Sequence, residues 1–266
     1  MHPGVEQVLG SIARFTEVCR DDARVVAAFL GGSWARGEAD AWSDLDLGVI
    51  VTDEAYEEFV AECRDFLARL GEPLFLEHFG RPYNVFFILS DGTEGELAIG
   101  RVGDFLHIHG GPYRTLLDRQ DVLAGVVFLW ETADPEDQRE ELRRLVTWFW
   151  HDLSHFVTAI GRGQLWWAQG QLESLRRSCV DLLRLQANFS ASLESYDKLD
   201  KAVPPAALDP LRDTIVPLDR AALVDAAGKL VSLFQQSAQP LAHAHSVMYP
   251  ERLAGLMLRH FARINT

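Results

Sequence analysis

Phe29-Leu30-Gly31-Gly32-Ser33-Trp34-Ala35-Arg36-Gly37, followed by Ser43-Asp44-Leu45-Asp46-Leu47, decides how the chain is read. Arg24 to Leu30 is a short β-branched and apolar run that stops at two glycines, so it reads as a buried strand ending in a tight turn. Glycine lets the backbone bend sharply and come close to a ligand. Ser33 then opens a short helix, and the N–H groups at a helix start favour a phosphate. Leu45 to Val51 reads as a second strand. Asp44 and Asp46, two apart on it, send their carboxylates from one face, roughly 7 Å from each other. Two acids so placed repel, and a hard divalent cation relieves the repulsion. Mg²⁺ takes oxygen ligands, usually one or two carboxylates plus substrate phosphates. A phosphate cradle beside a Mg²⁺ dyad implies a nucleoside triphosphate.

Outward from this stretch, Val5, Val8, Leu9, Ile12, Phe15 and Cys19 recur at helical spacing, as do Ala55, Phe59, Val60, Cys63, Phe66, Leu67 and Leu70. Leu74 to Phe79, Tyr83 to Leu89 and Glu94 to Val102 read as three strands of a meander, with Gly80-Arg81-Pro82 and Ser90-Asp91-Gly92 as turns. The pattern changes at Asp134-Pro135, a helix start. Leu142 to Ile160 carries one long amphipathic stripe, Gly161-Arg162-Gly163 breaks it, and a second helix runs from Gln164 to Ala187. A proline-containing link (Pro204-Pro205, Pro210) leads to helices over Asp219 to Gln236 and Leu241 to Ile264, the last interrupted by Pro250. The expected architecture is α+β: a mixed sheet flanked by helices over residues 1–132, then a helical bundle over 133–266.

Thirty-nine acids against 25 bases give a net charge of −14, and only Lys198, Lys201 and Lys229 are lysines. Nucleic-acid binding draws on lysine and arginine contacts with phosphate, so no nucleic-acid partner is expected. Such acidity suits a cationic small substrate. No apolar run approaches the roughly 20 residues of a membrane span, and the N-terminus lacks a secretory pattern. A cytoplasmic protein with no membrane partner is expected. Cys19, Cys63 and Cys179 have no metal-like spacing and, being odd in number, cannot close a disulfide framework.

The Gly-Ser turn, the gap of about ten residues and the Asp-x-Asp strand resemble the signature of the polymerase-β-like nucleotidyltransferase superfamily. Ala35-Arg36-Gly37 and Ser43-Asp44 are similar to its small bacterial members. Phe149-Trp150-His151 through Ile160-Gly161-Arg162-Gly163-Gln164-Leu165-Trp166-Trp167-Ala168, then Leu172 to Arg177, resembles the helix–Arg-Gly–helix segment of antibiotic nucleotidyltransferases. Leu241-Ala242 through Met248-Tyr249-Pro250 is similar to the end of the streptomycin 6-adenylyltransferase type.

The resemblance implies transfer of a nucleoside monophosphate, AMP from ATP, to a hydroxyl of a small acceptor of the aminoglycoside or lincosamide kind. Asp44 and Asp46 would hold Mg²⁺, and Gly32 with Ser33 would cradle phosphates. It also implies a third carboxylate on a neighbouring strand, as base, metal ligand or both. Glu96, within the apolar Gly95-Glu96-Leu97-Ala98-Ile99, is the choice, with Glu94 and Asp91 in reserve. Arg36 either reaches the triphosphate or pairs with Asp40 or Asp44, while Trp34 is expected to pack. A protein-AMPylating antitoxin-like enzyme and a catalytically silent nucleotide sensor are the rival readings. Lys198 reaches a phosphate or is simply solvated. The pairs His107/His109, His151/His155 and His243/His245 lack a third ligand by spacing and are assigned structural or surface roles. Trp148, Trp150, Trp166 and Trp167 would serve a homodimer interface or core packing equally well.

Overall fold

In a computed structural model, residues 4–130, 133–191 and 193–264 are described. The chain divides into two compact units, Met1–Glu131 and Thr132–Thr266. In the first, helix α1 (Val5–Asp21) precedes strand β1 (Val25–Leu30), a one-turn helix α2 (Gly32–Arg36) and strand β2 (Leu45–Val51). Helices α3 (Tyr56–Ala61) and α4 (Cys63–Ala68) follow, then strands β3 (Pro73–Glu77), β4 (Asn84–Leu89), β5 (Glu94–Arg101) and β6 (Arg114–Asp118). These strands form one sheet in the order β3-β4-β5-β2-β1-β6. Only β2 and β5 run parallel among the described strands, so the sheet is mixed. The β3–β4–β5 meander appears as its turns implied.

Alternation sorts the strands into two faces. Leu45, Leu47, Val49 and Val51 join Val85, Phe87, Leu97 and Ile99 under Ile12, Phe15, Phe59 and Phe66 of the helices. The other face carries Phe29, Ile50 and Ala98, covered by Phe105, Ile108, Leu123 and Phe128 from the segment after β5. Close packing there dictates a glycine: a Cβ on Gly48 would lie 2.1 Å from Cζ of Phe29. Asp46 and Glu96 fall on this second face, at the end of the sheet that its apolar cover leaves half-open.

Several sequence expectations need correction in detail. Strand β6 was not foreseen. The helix expected over Ala55 to Leu70 is broken, because Glu62 leaves helical geometry (φ −98°, ψ 10°) between α3 and α4. In the second unit, the segment read as a plain link contains α7 (Leu199–Ala202) and α8 (Pro205–Arg212).

That second unit is otherwise built from α5 (Pro135–Gly161), α6 (Leu165–Ala187), α9 (Arg220–Ala244) and α10 (Glu251–Ala262). Asp134 caps α5, its carboxylate accepting from the Glu136 N–H at 2.7 Å, with Pro135 in the first turn where no donor is missed. Gly163, at φ +68°, lets the chain reverse between α5 and α6. Helix α9 runs through Pro240 instead of ending at Gln236. Pro240 is exposed, so the carbonyl it leaves without an intrahelical donor is open to water, while Ala238, Leu241 and Ala242 stay buried on the opposite side. The core holds Trp150, with Phe149 and Phe234 stacked at 3.7 Å. Trp150 is therefore a packing residue, whereas Trp148 and Trp166 are exposed. No helix among the described residues is long and apolar enough to cross a membrane.

Candidate functional site

The chain leaves β1 through Gly31, whose N–H donates to the Asp46 carbonyl at 2.8 Å. Gly31 is extended (φ −100°, ψ −160°) and caps α2. Gly32 turns at φ +54°, and a Cβ there would sit 1.5 Å from Oδ2 of Asp46. The Gly32 Cα thus rests directly against the Asp46 carboxylate. This contact brings the turn and the acid together. Helix α2 is closed by Gly37 at φ +73°, whose N–H bonds the Ser33 carbonyl. Trp34 anchors it from beneath, 8% exposed within the helix-covered core, as its packing assignment required.

The loop from Gly37 to Asp44 is tied by Asp40, whose Oδ1 accepts from the Trp42 N–H at 2.8 Å, and by Ser43 Oγ, which accepts from the Asp40 N–H at 2.9 Å. Asp44, exposed, is one residue ahead of β2 rather than on it. Asp46 is half-buried on β2 and is the direct register partner of Glu96 on β5. Glu96 accepts a hydrogen bond from Asn84 Nδ2 at 3.3 Å, and the amide oxygen of Asn84 is buried without a partner among the described residues. Sheet register therefore gathers Asp46, Glu96 and Asn84, and the bend adds Gly32.

Of the reserve acids, Glu94 is exposed two residues before Glu96, and Asp91 is occupied in the β4–β5 turn. Asp91 Oδ1 accepts from the Thr93 N–H at 2.9 Å, and Thr93 is bound to Ser11 of α1. Arg36 pairs with neither Asp40 nor Asp44 but with Glu38, Nε to Oε2 at 2.8 Å. Lys198 pairs with Asp197 at 3.2 Å.

Two residues that sequence reasoning did not bring to the site stand next to it. One is Asn84, which only the strand register could have revealed. The other is His109, whose ring lies against Gly31. Burial pushes the His109 imidazole below its ordinary value, helped by the charge of Arg36. The hydrogen bond to Pro112 and the charge of Glu96 oppose that shift. Of the paired histidines, His107 lies 3.2 Å from Asp104, His151 and His155 lie 4.3 Å apart ring to ring, and His245 stacks on Phe189 at 3.5 Å. Among the described residues no group of three or more His, Cys, Asp or Glu side chains could hold a metal by itself. Protein carboxylates alone do not complete a metal site here; substrate oxygens would have to contribute.

The site thus consists of a Gly-Gly-Ser bend set against Asp46 on a mixed sheet, with Glu96 in register beside it. The sequence model of the streptomycin adenylyltransferase family matches residues 10–264, through both units, and the chain belongs to that family of nucleotide-transferring enzymes. No curated protein sequence matches it. Among solved structures, an aminoglycoside 6-adenyltransferase from Bacillus subtilis is 13% identical, with 98% of this chain and 99% of that one covered at a TM-score of 0.46. A nucleotidyltransferase-like protein from Exiguobacterium sibiricum 255-15 is 12% identical, over 96% of this chain and 88% of that one, at a TM-score of 0.40. At those scores it is the family match that carries the assignment.

Proposed function

We propose that this protein transfers AMP from ATP to a hydroxyl of a small cationic acceptor of the aminoglycoside type, releasing pyrophosphate. The observation that carries the reading is the contact of the Gly32 Cα with the Asp46 carboxylate, with Glu96 in register beside it. The residues fit a magnesium ion. Asp44, exposed, and Asp46, half-buried, offer the hard oxygen donors that Mg²⁺ prefers, and substrate oxygens would complete the set. When bound, such an ion would neutralise charge on the triphosphate during transfer.

The chain's own groups do the rest. Gly32 and Ser33 present backbone N–H groups to phosphate oxygens at the bend. Glu96 accepts the proton of the acceptor hydroxyl as that oxygen bonds to the α-phosphorus and the bond to pyrophosphate breaks. Asn84 holds the glutamate in orientation by its amide N–H. Arg36, at the exposed end of α2, is left with a role at the triphosphate only if it gives up Glu38. The excess of 39 acidic over 25 basic residues favours a polycationic acceptor. Modifying a drug in this way would confer resistance to it. Three free, buried cysteines suit the reducing cytoplasm where ATP is abundant.

The test is transfer of label from α-labelled ATP, with Mg²⁺, to panels of aminoglycosides, lincosamides and proteins. Label should move to an aminoglycoside, and Asp46→Asn should abolish it. Glu96→Gln should slow transfer about 10²- to 10⁴-fold while sparing ATP binding. Label on a protein instead, or ATP binding without any transfer, would replace this reading.

A further inference from the structure

We propose that His109 is a positioning residue for nucleotide binding, its imidazole being the backstop that holds the Gly31-Gly32 bend against Asp46. The proposal rests on the reading of Gly32 and Ser33 as the phosphate cradle. Gly31 adopts φ −100°, which any residue can adopt, so its backbone conformation does not call for glycine. Space does. A Cβ on Gly31 would lie 2.5 Å from Cε1 of His109 and 3.0 and 3.1 Å from Nδ1 and Nε2. The bend also meets Asp46 twice, through the Gly31 N–H to the Asp46 carbonyl and through Gly32 against the carboxylate. Acid and ring together clamp the bend.

The ring itself is held firmly. Its centroid lies 5.3 Å from those of both Phe29, on that sheet face, and Phe128, in its apolar cover. Nε2 lies 3.2 Å from the Pro112 carbonyl. A carbonyl only accepts, so Nε2 carries the proton in the neutral ring, which fixes the tautomer. Pro112 precedes β6, whose Arg114 is the register partner of Leu30, the last residue of β1 before the bend. Both ends of the clamp are thus fastened to the same strand. Backbone N–H groups bind phosphate only while they point at it, and a displacement near 1 Å can cost about a hundredfold in such a site. A ring that fixes Gly31 fixes those donors.

Calorimetric titration with a non-hydrolysable ATP analogue and Mg²⁺ tests this, together with KM values for ATP and for the acceptor. His109→Ala should weaken nucleotide binding about tenfold, leave the acceptor KM unchanged and retain the helical circular dichroism of the parent. Gly31→Ala should weaken nucleotide binding as much. Removing the ring makes room for the new methyl, so Gly31→Ala with His109→Ala should bind nucleotide better than Gly31→Ala alone. His109→Gln keeps a donor for Pro112 and guards against failure of the alanine variant to fold; its affinity should fall between parent and His109→Ala. If the His109 variants lose thermal stability or active fraction but the folded protein binds nucleotide like the parent, the ring is packing only and the inference is wrong. If the parent itself binds no nucleotide, the reading of the cradle fails first and takes this inference with it.

Discussion

At Gly32 a side chain is excluded twice, by a φ of +54° and by the Asp46 carboxylate 1.5 Å from where a Cβ would stand. Gly32→Ala should therefore cost about 1–3 kcal/mol of stability through backbone strain and push the acid out of place. Nucleotide affinity should fall at least tenfold; unchanged affinity by titration would show that the bend does not meet the ligand. Asn84→Ala addresses the neighbouring acid. It removes the 3.3 Å hydrogen bond to Glu96 Oε2, so the glutamate can turn out of the orientation proposed for a base. Steady-state kinetics should show kcat reduced several-fold with KM for ATP nearly unchanged, and an equal rise in KM would assign Asn84 to nucleotide binding instead. These residues differ in how legible they were. Gly31-Gly32-Ser33, Asp44 and Asp46 lie within one short stretch, so spacing alone suggested a shared site, and the structure sets Gly32 against Asp46. Asn84 and His109 join the site through strand register and loop packing, which local periodicity does not encode.

Among the elements, the strands that alternate or run apolar between Gly and Pro turns were legible to within a residue or two, because burial of one or both faces writes itself into composition. Strand β6 was not, since its Arg114-Thr115-Leu116-Leu117-Asp118 is too short and too polar to stand out; pairing with β1 makes it a strand. Arg119, next to it, shows what that pairing is fastened to. Its guanidinium donates to the Val25 carbonyl at 3.0 Å, the Asp22 carbonyl at 3.2 Å and the Cys19 carbonyl at 3.4 Å, as well as to the Arg20 carbonyl. Carbonyls at a helix C-terminus have no intrahelical donor, so Arg119 satisfies the end of α1 and ties it to both strands. Arg119→Met should lower stability by about 1–3 kcal/mol in urea titration. Nucleotide affinity at the opposite end of β1 should hardly change. A variant as stable as the parent would mean that water replaces the guanidinium at no cost.

For the whole molecule, each unit has its own core, and in the second unit buried arginines do work that a sequence assigns to solvent. Arg176 is 7% exposed and donates from Nε and Nη2 to the side chain and carbonyl of Thr214, while Arg184 Nε donates to the Ser195 carbonyl at 2.6 Å. These bonds fix the segment after α6, which is why a stretch that looked like a plain link is ordered enough to hold α7 and α8. Asp181, on the same helix, lacks such compensation. It is 8% exposed, and among the described residues its Oδ1 has no hydrogen-bond partner. Burial raises its carboxyl above the ordinary 3.8, the charge of Glu141 adds to this, and Arg144, Arg177 and Arg184 oppose it. The folded state therefore holds the Asp181 proton more tightly than the unfolded chain. Its contribution to stability is complete below the unfolded value and is lost as pH rises through the folded one. Asp181→Asn cannot ionise, so at pH 7 the variant should be more stable than the parent by about 1 kcal/mol. The advantage should shrink as pH falls toward 4, where the parent carboxyl becomes protonated. Urea unfolding followed by helical circular dichroism at both pH values gives the difference directly. An asparagine variant less stable than the parent at pH 7 would show that the surrounding arginines outweigh burial, making Asp181 an ionic anchor of the bundle.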